Sequence, residues 1–333
     1  MSLPSMISAK ALGAMPQFTL DQIGEKALTR ALGKAGLPDT FIDTRDGYIP
    51  KHALAVFIGE VGRELGESNI GLIWAPALTV ADYGAWGGYV LGAPTLGAAL
   101  IRAQSVMPYH STDDKTSFRI HDDLVGYAYQ FGLKGHAAYP DIAFSALGAV
   151  LSIFSHFLGK AWRPHRIYCD LPCSKRHDDV EATFGCPVLW NKDRLEIWFE
   201  RSALAVVSPC HSKRKTTLED IRRERALGPP ADLPEIVSRV LQLQMAAGRI
   251  DLDAVAHSLN IGPRSLQRRL QSEGVSFRAL ANRTKTARAI ELLNEGSLSV
   301  QEIATDLGYE NSQNFSRAFR RSTGMPPSAY ASR

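Results

Sequence analysis

Apolar residues follow two different rhythms along the chain. From residue 231 onward they recur at three- and four-residue steps: Leu233, Ile236, Val237, Val240 and Leu241 occupy i, i+3, i+4, i+7 and i+8, the stripe of an amphipathic helix. Upstream of residue 209 two periods mix. Lys51 to Leu65 and Thr95 to Ala103 carry helical spacing, whereas Thr116 to His121, Leu124 to Leu133, His165 to Leu171 and Arg194 to Phe199 read as strands. The most apolar stretch, Ala143 to Leu158, is shorter than the roughly 20 residues of a membrane span and predicts a buried helix. The opening MSLPSMISAKALGAM lacks the uninterrupted apolar run of a signal peptide.

Between these regions HSKRKTTLEDIRRERALGPP is polar, holds no apolar period and ends in a Gly-Pro-Pro breaker. The expected organisation is therefore multidomain: an α+β domain over 1–209, a polar linker over 210–230 and an all-α domain over 231–333. A length of 333 residues suits two cores better than one. The formal charge is +4, and 231–333 carries 13 Lys and Arg against 10 Asp and Glu, so most of the basic excess lies there. That distribution permits a polyanionic partner without requiring one. Linker cations Lys213, Arg214, Lys215, Arg222 and Arg223 read as solvated charge. All four cysteines, Cys169, Cys173, Cys186 and Cys210, fall within one short stretch, which is no disulfide framework for the chain and fits a reducing, cytoplasmic setting.

The strongest signal is a repeat. Val255-Ala256, Leu259 and Ile261 recur 48 residues later as Ile303-Ala304, Leu307 and Tyr309. At an offset of 49, Leu266-Gln267-Arg268-Arg269-Leu270 is answered by Phe315-Ser316-Arg317-Ala318-Phe319, and at 50 Gly274 by Gly324. The slipping offset predicts a second turn one residue longer than the first. Each copy has the parts of a helix-turn-helix: a short amphipathic helix, a small residue (Ala256, Ala304) where helices cross closely, a tight turn and a second helix. Gly262 is expected to relax the first turn, with Pro263 at the first helical position; Gly308 sits in the second turn, and Ser299-x-x-Glu302 reads as a capping box. Phe277 to Leu293 holds no Gly or Pro, which predicts one continuous connecting helix, with Ala287, Ile290 and Leu293 toward one face.

With Ile303-Ala304, Gly308-Tyr309, Phe315-Ser316-Arg317-Ala318-Phe319, Gly324 and Pro326-Pro327-Ser328-Ala329-Tyr330, the second unit resembles the AraC/XylS signature. The likeness covers about Leu233 to Tyr330. It implies seven helices, with two helix-turn-helix units joined by a long helix and reading successive major grooves of promoter DNA. Arg269-Leu270 departs from the apolar pair more usual in that family. Less sharply, Tyr83-Gly84-x-x-Gly87 and Ala93-Pro94-Thr95-Leu96-Gly97-x-Ala99-Leu100 resemble the effector domain of the ornithine-utilisation type of AraC regulators, over about Asp21 to Pro209. That resemblance implies an α+β sensing and dimerising domain, an unidentified small-molecule effector, a homodimer, and activation through RNA polymerase.

Because Leu266, Leu270, Phe315 and Phe319 must face inward, the DNA-facing candidates are Arg264, Gln267 and Arg268 on the first recognition helix, and Ser312, Gln313, Asn314, Ser316 and Arg317 on the second. Arg suits guanine O6 and N7, Gln suits adenine, and hydroxyls serve bases or phosphates alike. The plain alternative for each is a solvated polar face. Trp74, Tyr83, Trp86 and Tyr89 read as core aromatics before they read as a ligand pocket.

Three enzyme-like features compete with this reading. Pro209-Cys210-His211 echoes the alkyl-acceptor motif of DNA alkyltransferases, which would make the chain a DNA-targeted repair enzyme; but Ser212 stands where an Arg belongs, and a polar linker follows. Cys169-x-x-x-Cys173 with His165, His177 and Cys186 lacks the paired spacing of structural zinc sites, and His121-Asp122 and His177-Asp178 lack the further ligands of metal hydrolases. No P-loop, dinucleotide fingerprint or G-x-S-x-G elbow is present, so neither enzymatic activity nor a cofactor is expected. Nor is a membrane partner.

Overall fold

The computed structural model describes residues 2–43, 45–67, 69–173, 175–209, 216–224, 228–246 and 250–330. The chain divides into two compact units: Ser5–Lys34 with Thr40–Pro229, and Pro230–Arg333, with which Met1–Pro4 and Ala35–Asp39 are grouped.

The first unit is α+β. A five-stranded sheet has the order β3-β4-β7-β5-β6, with β3 at Lys115–His121, β4 at Leu124–Gln130, β5 at Arg166–Tyr168, β6 at Val188–Leu189 and β7 at Leu195–Glu200. All pairings are antiparallel except β5 with β6. A two-stranded ribbon joins β1 (Met6–Ser8) to β2 (Tyr48–Pro50). The β3–β4 hairpin turns at Asp122, whose φ of 53° is left-handed. Beside it His121 and Asp122 pair at 3.1 Å, both exposed, as a hairpin tip.

Helix Lys51–Leu65 forms where its period predicts, and the second predicted helix spans Leu96–Ser105. The apolar stretch becomes the helix Tyr139–Leu158, starting four residues earlier than expected because Pro140 fits its first turn. Its length and composition would let it cross a membrane, but just over half of it is buried inside this unit, where Ile153 and Phe154 are almost fully enclosed. Lys51 opens helix Lys51–Leu65 and is 0% exposed. Its ammonium pairs with the carboxylates of Asp113 and Asp114 and lies 4.2 Å from the centre of the Phe131 ring. Asp114 also accepts from Tyr129 Oη at 2.7 Å and from the Gly132 amide at 3.1 Å, so the buried charge is saturated with partners.

The expected polar linker is structured in part. Leu218–Glu224 is a helix whose Ile221 is 0% exposed, and it packs on helix Ala85–Leu91 within the same unit. One buried apolar residue per short helix leaves no period to detect, which is why the sequence reads as linker. Cys210, Lys213, Arg214 and Lys215 lie outside the described residues.

The second unit is all helical. The stripe Leu233, Ile236, Val237, Val240 and Leu241 is buried on helix Leu233–Ala246, as its spacing predicts. Then come Leu252–Ser258, Pro263–Ser272, Phe277–Glu295, Val300–Asp306, Ser312–Thr323 and Pro327–Tyr330. The connecting helix Phe277–Glu295 is unbroken and packs on Leu233–Ala246 as well as on Val300–Asp306 and Ser312–Thr323. Its buried face is Leu280, Thr284, Ala289, Leu292 and Leu293, with Ile290 partly buried. Ala287, expected on that face, is exposed: the helix is covered by different partners at its two ends, so no single stripe runs its length.

Candidate nucleic-acid interface

In the first helix-turn-helix, Asp251 caps the leading helix by accepting from the Ala254 amide at 2.8 Å. The four residues 259–262 make the turn, held by Ile261 N–H donating to Ala256 O at 2.9 Å. The left-handed residue here is Asn260, at φ 52°; Gly262, expected to relax the turn, has φ −65° and serves as the N-cap. Asn tolerates this region because its short amide bonds locally, so no glycine is needed.

The second unit repeats the device. Ser299 and Glu302 form the capping box, the Glu302 amide donating to Ser299 Oγ at 3.3 Å and the Ser299 amide to Glu302 Oε2 at 2.7 Å. The turn runs over the five residues 307–311, one more than in the first unit, and Gly308 supplies the left-handed step at φ 70°. Tyr309 N–H donates to Ala304 O at 2.9 Å, the counterpart, 48 residues on, of the Ile261–Ala256 bond. Asn311 caps the following helix through the Asn314 amide at 2.8 Å.

Both second helices bury one face and present the other. Leu266 and Leu270 are 0% exposed, and Phe315 and Phe319 1%. The departure at Arg269 is absorbed because only Leu270 enters the core, leaving Arg269 half-buried. Tyr309, Phe315, Phe319 and Tyr330 form a ladder with successive ring centres 5.5–5.6 Å apart, which ties the second helix to the turn before it and to helix Pro327–Tyr330. Lys285 of the connector lies 4.6 Å from the Tyr309 ring centre, and burial lowers its pKa.

On the outer face of the first helix, Arg264, Gln267 and Arg268 are all exposed. On the second, Gln313 and Arg317 are exposed while Ser312, Asn314 and Ser316 are half-buried. Arg317 Nη2 donates to Asn314 Oδ1 at 2.6 Å, so that amide oxygen holds a guanidinium in place. Ser312, Gln313, Ser316 and Arg317 border one open, shallow depression. Arg320 and Arg321, in the last turn, add exposed positive charge that the repeat gave no reason to single out.

Of the features that suggested other chemistry, Pro209-Cys210-His211 reaches beyond the described residues, and the others have structural settings. Among the described residues no group of three or more His, Cys, Asp or Glu side chains is placed to hold a metal. Cys169 and Cys186 are buried free thiols whose pKa burial pushes up to about 12, far from a reactive thiolate. His177 and Asp178 pair at 3.1 Å at the exposed start of helix His177–Phe184. Of the four aromatics, Trp74 stacks on Phe57 in the core and Tyr89 lies beneath Arg102 near the surface, whereas Tyr83 and Trp86 line an internal cavity.

Residues 27–206 match the family model for the arabinose-binding N-terminal domain of AraC transcription regulators, and residues 255–333 match a helix-turn-helix domain. The ornithine utilization regulator of Pseudomonas aeruginosa is 27% identical over 291 residues, covering 80% of this chain and 79% of that one. An uncharacterised HTH-type transcriptional regulator of Mycobacterium tuberculosis is 46% identical over 79 residues, 24% of this chain and 23% of the relative, so the match spans about a quarter of that protein's length. Transcriptional regulator CdpR of P. aeruginosa aligns over 79% of this chain and 86% of its own, at 23% identity and a TM-score of 0.37. The matched families and these relatives are transcription regulators, not enzymes.

Proposed function

Since the chain belongs to the family of AraC transcription regulators built on an arabinose-binding-type N-terminal domain, we propose that it binds promoter DNA sequence-specifically, reading two successive major grooves with helices Pro263–Ser272 and Ser312–Thr323. Arg264, Gln267 and Arg268 contact one groove; Ser312, Gln313, Asn314, Ser316 and Arg317 contact the next. The observation that carries this reading is the pair of units with the same turn bond, each offering a polar outer face, joined by one unbroken helix. A stiff connector suits recognition elements that must enter the duplex about one helical turn, or roughly 34 Å, apart.

In this reading residues 1–209 sense a small metabolite and dimerise the protein, 210–230 link, and 231–333 bind DNA. The protein works in the cytoplasm as a homodimeric activator that helps recruit RNA polymerase, with no membrane partner and no cofactor. Effector binding favours one arrangement of the sensing domain and so changes how two DNA-binding domains meet adjacent half-sites. Genome-wide capture with the tagged full-length chain tests this. Discrete sites near promoters, each with two boxes one turn apart, are expected; diffuse capture independent of sequence would refute the specific reading.

A further inference from the structure

The sensing unit encloses a cavity of about 60 Å³ between the sheet face carrying Tyr127 and Tyr129 and the helices Lys51–Leu65 and Tyr139–Leu158. Its wall is aliphatic and aromatic, with Met107, Phe131 and Ile142 beside Tyr83 and Trp86. Among the described residues no Asp, Glu, Lys or Arg lines it. The buried Lys51 and Asp114, with the half-buried Asp113, are consumed by one another, and Phe131, which lines the cavity, stands over the ammonium.

Several polar groups in the wall are also spent. Trp86 Nε1–H donates to the Val106 carbonyl at 2.9 Å, and the Tyr129 hydroxyl to Asp114 at 2.7 Å. His110 stands apart from these: it lies flat against Tyr83, their ring centres 5.1 Å apart, a ring contact and not a hydrogen bond of its Nδ1. Ser145 differs: it is 4% exposed, lines the cavity, and its Oγ has no hydrogen-bond partner. A buried hydroxyl without a partner is costly and marks a place where a ligand group could bond.

The wall also has a second side. Tyr83 and Trp86 sit on the segment Val80–Leu91, which receives the chain leading toward the DNA-binding domain. The Ala85 amide donates to Glu224 Oε2 at 2.7 Å, Gly88 abuts Thr216, and Arg222 Nε reaches the Tyr109 hydroxyl at 3.4 Å. A molecule pressing on Trp86 therefore pushes on the helix that anchors residues 216–224.

We infer that this cavity is the effector site, and that it takes a small, uncharged, mostly apolar molecule with a hydrogen-bonding group for Ser145, not a sugar and not a diamino acid. The inference rests on the regulator reading above and adds the effector's chemistry to it. At roughly 10–15 Å³ of free centre volume per water, the space admits about four to six waters, or on the order of 120–180 Å³ of molecule at ~30 Å³ each. That is one six-membered ring or a short acyl chain. A pentose would bring more hydroxyls than this wall has polar groups to meet, and ornithine two ammonium groups and a carboxylate to no opposite charge, each desolvated without compensation.

Calorimetric titration of the full-length protein with benzyl alcohol, toluene, L-arabinose and L-ornithine decides the matter. Saturable one-to-one binding of both ring probes is expected, and none of arabinose or ornithine. Ser145→Ala should weaken benzyl alcohol several-fold and leave toluene unchanged. Ala149→Leu, which fills the cavity, should abolish both; if that variant fails to fold, the Ser145→Ala contrast carries the test. Saturable binding of arabinose or ornithine, failure of both ring probes, or equal effects of Ser145→Ala on both rings would overturn the inference. Titrating the same preparations on a captured DNA site separates the two readings: intact DNA binding with failed ring probes sinks the cavity assignment alone, whereas lost DNA binding sinks the regulator reading beneath it.

Discussion

Two residues show how differently a charge behaves on the two units. Arg268 is exposed on the outer face of its helix, with its core neighbours Leu266 and Leu270 fully buried. Replacing it by Ala should leave thermal unfolding unchanged and weaken specific DNA binding by about 1–3 kcal/mol if it reads a base. An operator titration checks this, and an unaltered affinity would return Arg268 to the solvated face. Lys51 is the opposite case, a buried cation whose removal leaves Asp114 buried without its counter-charge. Lys51→Met is expected to cost roughly 3–5 kcal/mol, the usual penalty for breaking one side of a buried pair, read as a lower urea midpoint for the sensing unit. Arg268 was legible in the sequence because inward Leu266 and Leu270 leave it only one way to point. The Lys51 pairing was not, since its partners lie 62 and 63 residues away and no local spacing joins them.

Helices with a sustained apolar stripe or a two-ended capping signal emerge where sequence spacing puts them, as Leu233–Ala246 and the Ser299–Glu302 box show. Ser299→Ala should remove one side of that box and cost about 1 kcal/mol, seen as an earlier denaturant midpoint for the helical unit without a change in slope. Elements held by contacts elsewhere were hidden. Helix Leu218–Glu224 hides because its stability comes from Ile221 and from Glu224 capping a distant helix. The burial face of the connector hides because two different neighbours cover its two ends. The motif Tyr83-Gly84-x-x-Gly87 was visible as a pattern, and the reason for it only in three dimensions: a Cβ on Gly87 would stand 1.7 Å from the Val80 carbonyl oxygen. Gly87→Ala must therefore part the helix Ala85–Leu91 from the turn before it. Expected is a destabilised sensing unit with the helical unit melting as before, followed by differential scanning calorimetry.

At the scale of the whole molecule the question is whether two helix-turn-helix units act as one reader or as two independent ones, and the connector lets this be tested. Ala287 is exposed near the middle of Phe277–Glu295, between the buried Leu280 and Thr284 on one side and Ala289, Leu292 and Leu293 on the other. Ala287→Pro breaks the helix there while leaving the outer-face side chains of both second helices in place, and Ala287→Gly is the control for lost propensity alone. If the units act as one rigid reader, the proline variant loses effective concentration of the second unit once the first is bound, and affinity for a two-box site should fall by about 10- to 100-fold. Affinity for a single box should stay level. The salt slope, which counts phosphates neutralised and not the stiffness between them, should also hold on the two-box site. A slope that falls toward half would mean the broken connector no longer lets both units engage. An affinity unchanged on both sites would mean that each unit reads DNA alone, and the unbroken helix would then need another explanation.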